Sequence, residues 1–170
     1  SKGTVRIMTS LMGLLNRPGT LRAFCEWGPR LEFRIYAEDP CRPEELLRTT
    51  PPGFHAKAML FEKMNAPHAL AVGSANFTSA GLGTNIEWTY LSDFETNSII
   101  NGEQSPYQHA VQLFDQMWDD HGYRPDASFI SEYEALHRET ESLRRRMFGR
   151  VQRTRKSVSN TTDTEIRPRS

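Results

Sequence analysis

Cysteine is scarce: Cys25 and Cys41 are the only two in 170 residues. They form no CxxC pair and no His/Cys set with zinc spacing, so the sequence offers neither a disulfide framework nor a structural zinc site. Two free thiols in a reducing, cytoplasmic compartment are expected. No run approaches the roughly 18 apolar residues that a membrane-spanning helix needs. Lys2 and Arg6 are followed by no sustained apolar stretch, so no secretory signal pattern is visible. There is no GxxxxGK[ST] phosphate loop, so no nucleotide-driven motor is expected on this chain. Internal repeats are absent. The formal net charge is zero, so overall charge names no partner.

The distribution of charge says more. From Arg138 to Lys156 eight basic residues face only Glu139 and Glu141. With 37% hydrophobic residues, the chain can fill one core of moderate size. Val5 to Thr9 reads as a short strand. Asn16-Arg17-Pro18-Gly19-Thr20 is a turn that opens a helix carrying Leu21, Phe24 and Cys25 on one face. Leu31 to Tyr36 alternates apolar and polar residues, as a half-buried strand does. A loop is expected from Asp39 to Gly53. Phe54 to Glu62 and Ala69 to Gly73 read as strands, Asn76 to Leu82 as a tight turn into a short helix, and Ile86 to Leu91 as a further strand. Helices are expected from Tyr107 to Asp120, with Val111, Phe114, Met117 and Trp118 on its apolar face, and from Ala127 to Phe148. The stripe of the last is Phe129, Tyr133, Leu136, Leu143 and Met147. The succession predicts an α/β class, a mixed sheet flanked by helices in layers.

The chemistry concentrates in one third of the chain. Phe54-His55-Ala56-Lys57 is followed by Glu62, and then by Gly73-Ser74-Ala75-Asn76. Two residues apart on a strand, His55 and Lys57 point to the same face. An imidazole beside an ammonium, with a hydroxyl and an amide brought in by a Gly-Ser turn, suits a phosphate ester. Lys57 would neutralise the non-bridging oxygens. Ser74 and Asn76 would donate hydrogen bonds as charge builds in the transition state. His55 would attack phosphorus and form a phosphohistidine that water resolves. No cluster of carboxylates accompanies these residues, as a two-metal phosphodiesterase would need. A metal-independent mechanism without cofactor is therefore favoured.

This pattern resembles the phospholipase D superfamily motif, HxK, four residues, an acid, then GSxN. His55, Lys57, Ser74 and Asn76 match directly. The acid is Glu62 where the family has Asp, and the segment from Lys63 to Val72 is longer than usual. The resemblance implies a phospholipase D-like layered fold containing one half of a two-motif site. It also implies a supporting role for Glu62, and it gives Glu87, in Asn85-Ile86-Glu87-Trp88, the task of holding the catalytic imidazole. The run Phe77-Thr78-Ser79-Ala80-Gly81 looks like the nuclease branch, and the layout is similar to modules that accompany helicases and restriction enzymes. Because the family's mechanism uses two histidines and this chain has one motif, the resemblance implies a homodimer that shares its site.

On this reading residues 1–126 form the catalytic domain, 127–149 an amphipathic helix and 150–170 a disordered basic tail. The expected function is a nuclease acting on DNA. The alternatives are a phospholipase D acting on lipid headgroups and a non-catalytic DNA-binding module beside a helicase or restriction partner. Arg144, Arg145, Arg146 and Arg150 are candidates for nucleic-acid contact, although a solvated helix end accounts for the same charges. His68, His109, His121 and His137 have no motif partners and read as surface or half-buried residues. Trp27, Trp88 and Trp118 read as core, with base stacking the lesser alternative.

Overall fold

The alternation of Leu31–Tyr36 is fulfilled in space: Phe33 and Ile35 are buried on one face of the strand while Glu32 is exposed on the other. The computed structural model describes residues 3–48, 54–62, 66–74, 76, 78, 83–95, 99–100 and 103–162, and only the backbone of 99, 100, 103 and 148–162. Strand β1 (Val5–Thr9) leads through a 3-10 turn (Met12–Leu14) to helix α1 (Pro18–Glu26), then to β2 (Leu31–Tyr36) and a one-turn helix α2 (Glu45–Arg48). Strands β3 (Ala58–Phe61), β4 (His68–Gly73) and β5 (Thr89–Phe94) follow. Two short strands, β6 (Ile99–Ile100) and β7 (Glu103–Gln104), precede helix α3 (Pro106–His121), strand β8 (Gly122–Tyr123) and helix α4 (Ala127–Thr162).

The chain is mixed α/β, as expected, but its strands do not form one mixed sheet. Among the described residues they fall into three ladders. The first has the order β1-β2-β8, with β1 and β2 parallel and β8 antiparallel to β2. The second, β3-β4-β5, is antiparallel throughout, and β6 pairs with β7. Register explains the separation: β8 spends its two residues on Ile35 and Tyr36, and β3 finds its partner in β4.

The core lies on the odd-numbered face of the first sheet. Phe33 and Ile35 pack there with Leu11, Leu21, Leu46, Phe129, Ile130 and Tyr133. Each such side chain contributes about 1.5–3 kcal/mol on burial. The exposed Arg22–Glu134 ion pair at 2.7 Å between α1 and α4 is worth about 0–1 kcal/mol. Apolar packing therefore holds α4 to the body. On the opposite face, α3 is fixed by two arginines. Arg6 pairs with Asp115 at 2.7 Å and lies over Phe114 and Trp118, and Arg34 lies 4.6 Å over the Trp118 ring. Arg34 also donates to the Trp118 carbonyl oxygen at 2.6 Å. Gly122 allows this approach, because a side chain there would collide with that carbonyl oxygen and with Arg34 Cδ. At its other end α3 begins with a capping box, Ser105 and Gln108 each bonding the other's backbone nitrogen, and Tyr107 stacks on His68 of β4. Helix α3 thus joins the two larger sheets.

Several expectations are corrected. Phe54–Glu62 is strand only over Ala58–Phe61, and the expected strand from Ile86 begins at Thr89. The loop from Asp39 contains α2. Trp118 is buried, but Trp27 and Trp88 are exposed. Helix α4 continues to Thr162, past Gly149, where a disordered tail is expected. The reason is local: no proline occurs from Ala127 to Arg167, Arg and Gln are good helix formers, and one glycine costs only about 1 kcal/mol. Its stripe divides. Phe129 and Tyr133 are buried, whereas Leu143 and Met147 are exposed. The turn expected from Asn76 to Leu82 lies largely outside the described residues, as do residues 163–170 and the Arg150 side chain. Cys25 and Cys41 are free thiols. No helix among the described residues is long and apolar enough to cross a membrane.

Candidate functional site

Three separate segments meet at one end of the β3-β4-β5 sheet, and register brings them there. Ala58 pairs with Val72, and Gly73 pairs with Thr89. The ladder continues one step on both sides: the Gly73 amide donates to the Lys57 carbonyl oxygen at 3.2 Å, and the Ser74 amide donates to the Trp88 carbonyl oxygen at 2.9 Å. The residues just before β3, just after β4 and just before β5 are therefore neighbours. They include His55 and Lys57, Ser74 and Asn76, and Glu87.

The segment before β3 is anchored to the first sheet. Phe54 stacks on Tyr36 at 4.9 Å, and its carbonyl oxygen accepts from Ser10 Oγ at 3.4 Å. Ser10 in turn is held by Asn16, whose carbonyl oxygen accepts from the Tyr133 hydroxyl at 2.7 Å. Burial of Tyr133 pushes its hydroxyl up to about 12, so it remains a donor throughout the physiological range. A relay of hydrogen bonds thus runs from the core side of α4 to the residue preceding His55. It reaches the C-terminal ends of the parallel pair β1 and β2, where α/β sheets place ligands.

His55 and Lys57 come together, although not as two residues of a strand. Lys57 Nζ lies 3.2 Å from His55 Nδ1 and 3.3 Å from the His55 carbonyl oxygen. An ammonium has no acceptor, so Lys57 donates to Nδ1 and the neutral ring carries its proton on Nε2. Ser74 Oγ donates a short hydrogen bond to Glu87 Oε2 and accepts from the Trp88 amide at 3.1 Å. Asn85 Nδ2 donates to Glu87 Oε1 at 3.2 Å. Among the described residues Glu87 is therefore joined to Ser74 and Asn85, not to the His55 imidazole as the resemblance implies. Asn76 is exposed two residues beyond Ser74, and its carbonyl oxygen accepts from the Thr78 amide at 2.8 Å.

Glu62 is not brought to this end. It follows β3 at the far side of the strand, five residues from Lys57 and roughly 16 Å along the chain. There its charge raises the pKa of Tyr107, second to the effect of burial. The basic candidates are divided too. Arg144 donates to the Gly13 carbonyl oxygen, Arg145 pairs with Glu141 at 2.8 Å, and Arg146 is exposed. His68, His121 and His137 are half-buried and His109 is exposed. No group of three or more His, Cys, Asp or Glu among the described residues is placed to hold a metal ion.

The sequence reading misses Asn85 as a partner of Glu87, and Ser10 and Tyr36 as supports of the His55 segment. Asn85 lies within the quoted motif, so its i, i+2 spacing from Glu87 was the available signal. Ser10 and Tyr36 sit at strand ends without any local mark.

The Glu87 carboxyl titrates below the ordinary glutamate range. The hydrogen bond from Ser74 is the largest cause and the one from Asn85 the next; burial opposes them, and the Lys57 charge adds a lesser lowering. The sign follows: these contacts stabilise the fold above the ordinary glutamate value and are lost as pH falls through the depressed one. A carboxyl-detected NMR titration of the Ser74→Ala protein is expected to show the Glu87 pKa moving up toward the ordinary value. An unmoved titration would show that Ser74 does not hold the carboxylate. Comparison with protein-family models and with curated proteins gives no match to this chain.

Proposed function

We propose that this sheet end is a metal-independent phosphodiesterase site of the phospholipase D type, acting on nucleic acid, with DNA the favoured substrate. One observation supports the reading above the others: His55 and Lys57 stand 3.2 Å apart at the same sheet end as Ser74 and Glu87. The four side chains come from three segments that the sheet register brings to one end. His55 and Ser74 are also exposed, which suits a polymer better than a small enclosed substrate.

Binding of a phosphodiester exchanges partners. Lys57 turns from Nδ1 to the phosphate oxygens, and the Ser74 hydroxyl turns to them from Glu87. The ring gives up its Nε2 proton to solvent and takes one on Nδ1, the freed carboxylate accepts that Nδ1–H, and Nε2 is left with its lone pair. Nε2 attacks phosphorus: an N–P bond forms and the P–O ester bond breaks. The leaving oxygen takes a proton from His55 of a second copy of the chain. Water then breaks the N–P bond, giving its proton back to that second imidazole. Asn76 donates to the charge that builds on the equatorial oxygens. A homodimer supplies the second histidine, and a helicase or restriction partner would deliver the DNA. Arg145, Arg146 and Arg150 would contact phosphates along the strand.

The test is incubation of the purified chain with plasmid DNA in EDTA, together with its mass in solution. Nicked or linear plasmid and the mass of two chains are expected. Loss of cleavage in EDTA, or release of headgroups from phosphatidylcholine vesicles without DNA cleavage, would overturn the reading.

A further inference from the structure

Trp88 is the residue that the site grips from both sides and yet leaves uncovered. Its amide donates to Ser74 Oγ at 3.1 Å, and its carbonyl oxygen accepts from the Ser74 amide at 2.9 Å. Its indole is 85% exposed. Tyr90, two residues on, is 68% exposed. Trp88 is the residue just before β5 and Tyr90 the second residue of that strand, so the two lie about 7 Å apart along the chain. Their cross-strand neighbours are Ser74 and Val72. An exposed tryptophan and an exposed tyrosine two residues apart, at the same sheet end as Lys57, make a surface with two kinds of affinity. The rings offer flat apolar faces, and Lys57 offers positive charge.

A nucleotide strand has this pair of properties, a charged backbone and flat bases. We propose that Trp88 and Tyr90 form a stacking platform for unpaired bases flanking the phosphate held at Lys57 and Ser74, so that the site selects single-stranded nucleic acid or frayed ends. The inference rests on the phosphodiesterase reading of the same site and gives it a substrate class. A duplex presents its bases edge-on, with their faces already stacked, and cannot use the platform. Single strands bind proteins by laying successive bases on aromatic side chains, with little dependence on sequence. The backbone of Trp88 is already fixed by Ser74, so little ordering remains to be done when a base arrives.

The experiment compares a short oligothymidylate with an abasic oligodeoxynucleotide of the same length and charge. Both are measured with the full chain in EDTA, by competition against an end-labelled strand, and cleavage is followed in the same samples. The wild-type chain is expected to bind the oligothymidylate about tenfold more tightly or better. Trp88→Ala removes that preference, Trp88→Phe restores most of it, and Trp27→Ala, at another exposed tryptophan, keeps it. Equal affinity of the wild-type chain for both oligomers, or a preference that survives Trp88→Ala, overturns the platform. If His55-dependent cleavage persists in that case, the phosphodiesterase reading stands without it. A Trp88-dependent preference with no cleavage of any diester has the opposite meaning, since the platform then holds and the catalytic reading fails. A wild-type dimer that Trp88→Ala turns into a monomer, with no preference for bases, identifies the face as a contact between copies and also overturns the platform.

Discussion

On the proposed mechanism, phosphodiester cleavage by the His55→Ala protein is expected to fall by about 10⁴-fold or more, because the nucleophile is lost outright. The loss should appear in kcat, since phosphate binding rests on Lys57 and Ser74, which the substitution leaves in place. The proposed sharing of the site between two copies adds a sharper expectation. If one copy attacks while the other protonates, a dimer with one intact His55 cannot complete the reaction. After exchange of subunits in an equal mixture of wild-type and His55→Ala chains, about one quarter of the activity should remain rather than half, since only that fraction of dimers pairs two intact copies. Half the activity would mean that each chain works alone and that the second proton comes from elsewhere. Cleavage by His55→Ala at the wild-type rate would remove the imidazole from the mechanism altogether.

Much of the scaffold is legible because half-buried elements leave a periodic trace. Leu31–Tyr36 is read to the residue, and α3 within a residue at each end, since Ser105-Pro106 and Gly122 mark its limits. The trace fails where apolar residues are not covered. Ile86-Glu87-Trp88 alternates as a half-buried strand does, yet Ile86 is 97% exposed and the ladder starts only at Thr89. Alternation reports a side-chain pattern and is silent on whether anything packs against it.

Which residues the candidate site brings to one sheet end was partly legible, and their wiring was not. His55, Lys57, Ser74 and Glu87 do gather, but the reason given for the first two, a shared strand face, does not apply, because β3 begins at Ala58. They meet because the Lys57 side chain folds back to the ring and to the carbonyl oxygen of His55. The partner of Glu87 depends on the β4–β5 register, which pairs Gly73 with Thr89 and so brings Ser74 alongside Trp88. Nothing in a single sequence encodes that register. The helical course of α4 beyond Gly149 was missed for a different reason. A polar composition argues against a packed core, but it does not argue against helix where proline is absent.

That register also makes one glycine indispensable. Gly73→Ala is expected to lower stability by about 2–4 kcal/mol, through overpacking and through loss of one or two flanking hydrogen bonds. A methyl group at this position would collide with the Trp88 carbonyl oxygen and lie 2.8 Å from Thr89 Cα and from Thr89 Oγ1. These are backbone atoms and the root of a short side chain, so no flexible group can move aside. The strand must separate, and the bonds that flank the contact, Gly73 to Lys57 and Ser74 to Trp88, open with it. A chain of this size should melt roughly 5–15 °C lower. Cleavage should fall further than the melting temperature accounts for, because Ser74 leaves Glu87 and Trp88 at the same moment. Gly83→Ala is the control: among the described residues, its chain neighbours aside, no atom lies within 4 Å of a methyl group there, so its melting curve should match the wild type. If Gly73→Ala also melts with the wild type, β4 and β5 do not approach as closely as this register requires, and the convergence of Ser74 and Glu87 that supports the site goes with it.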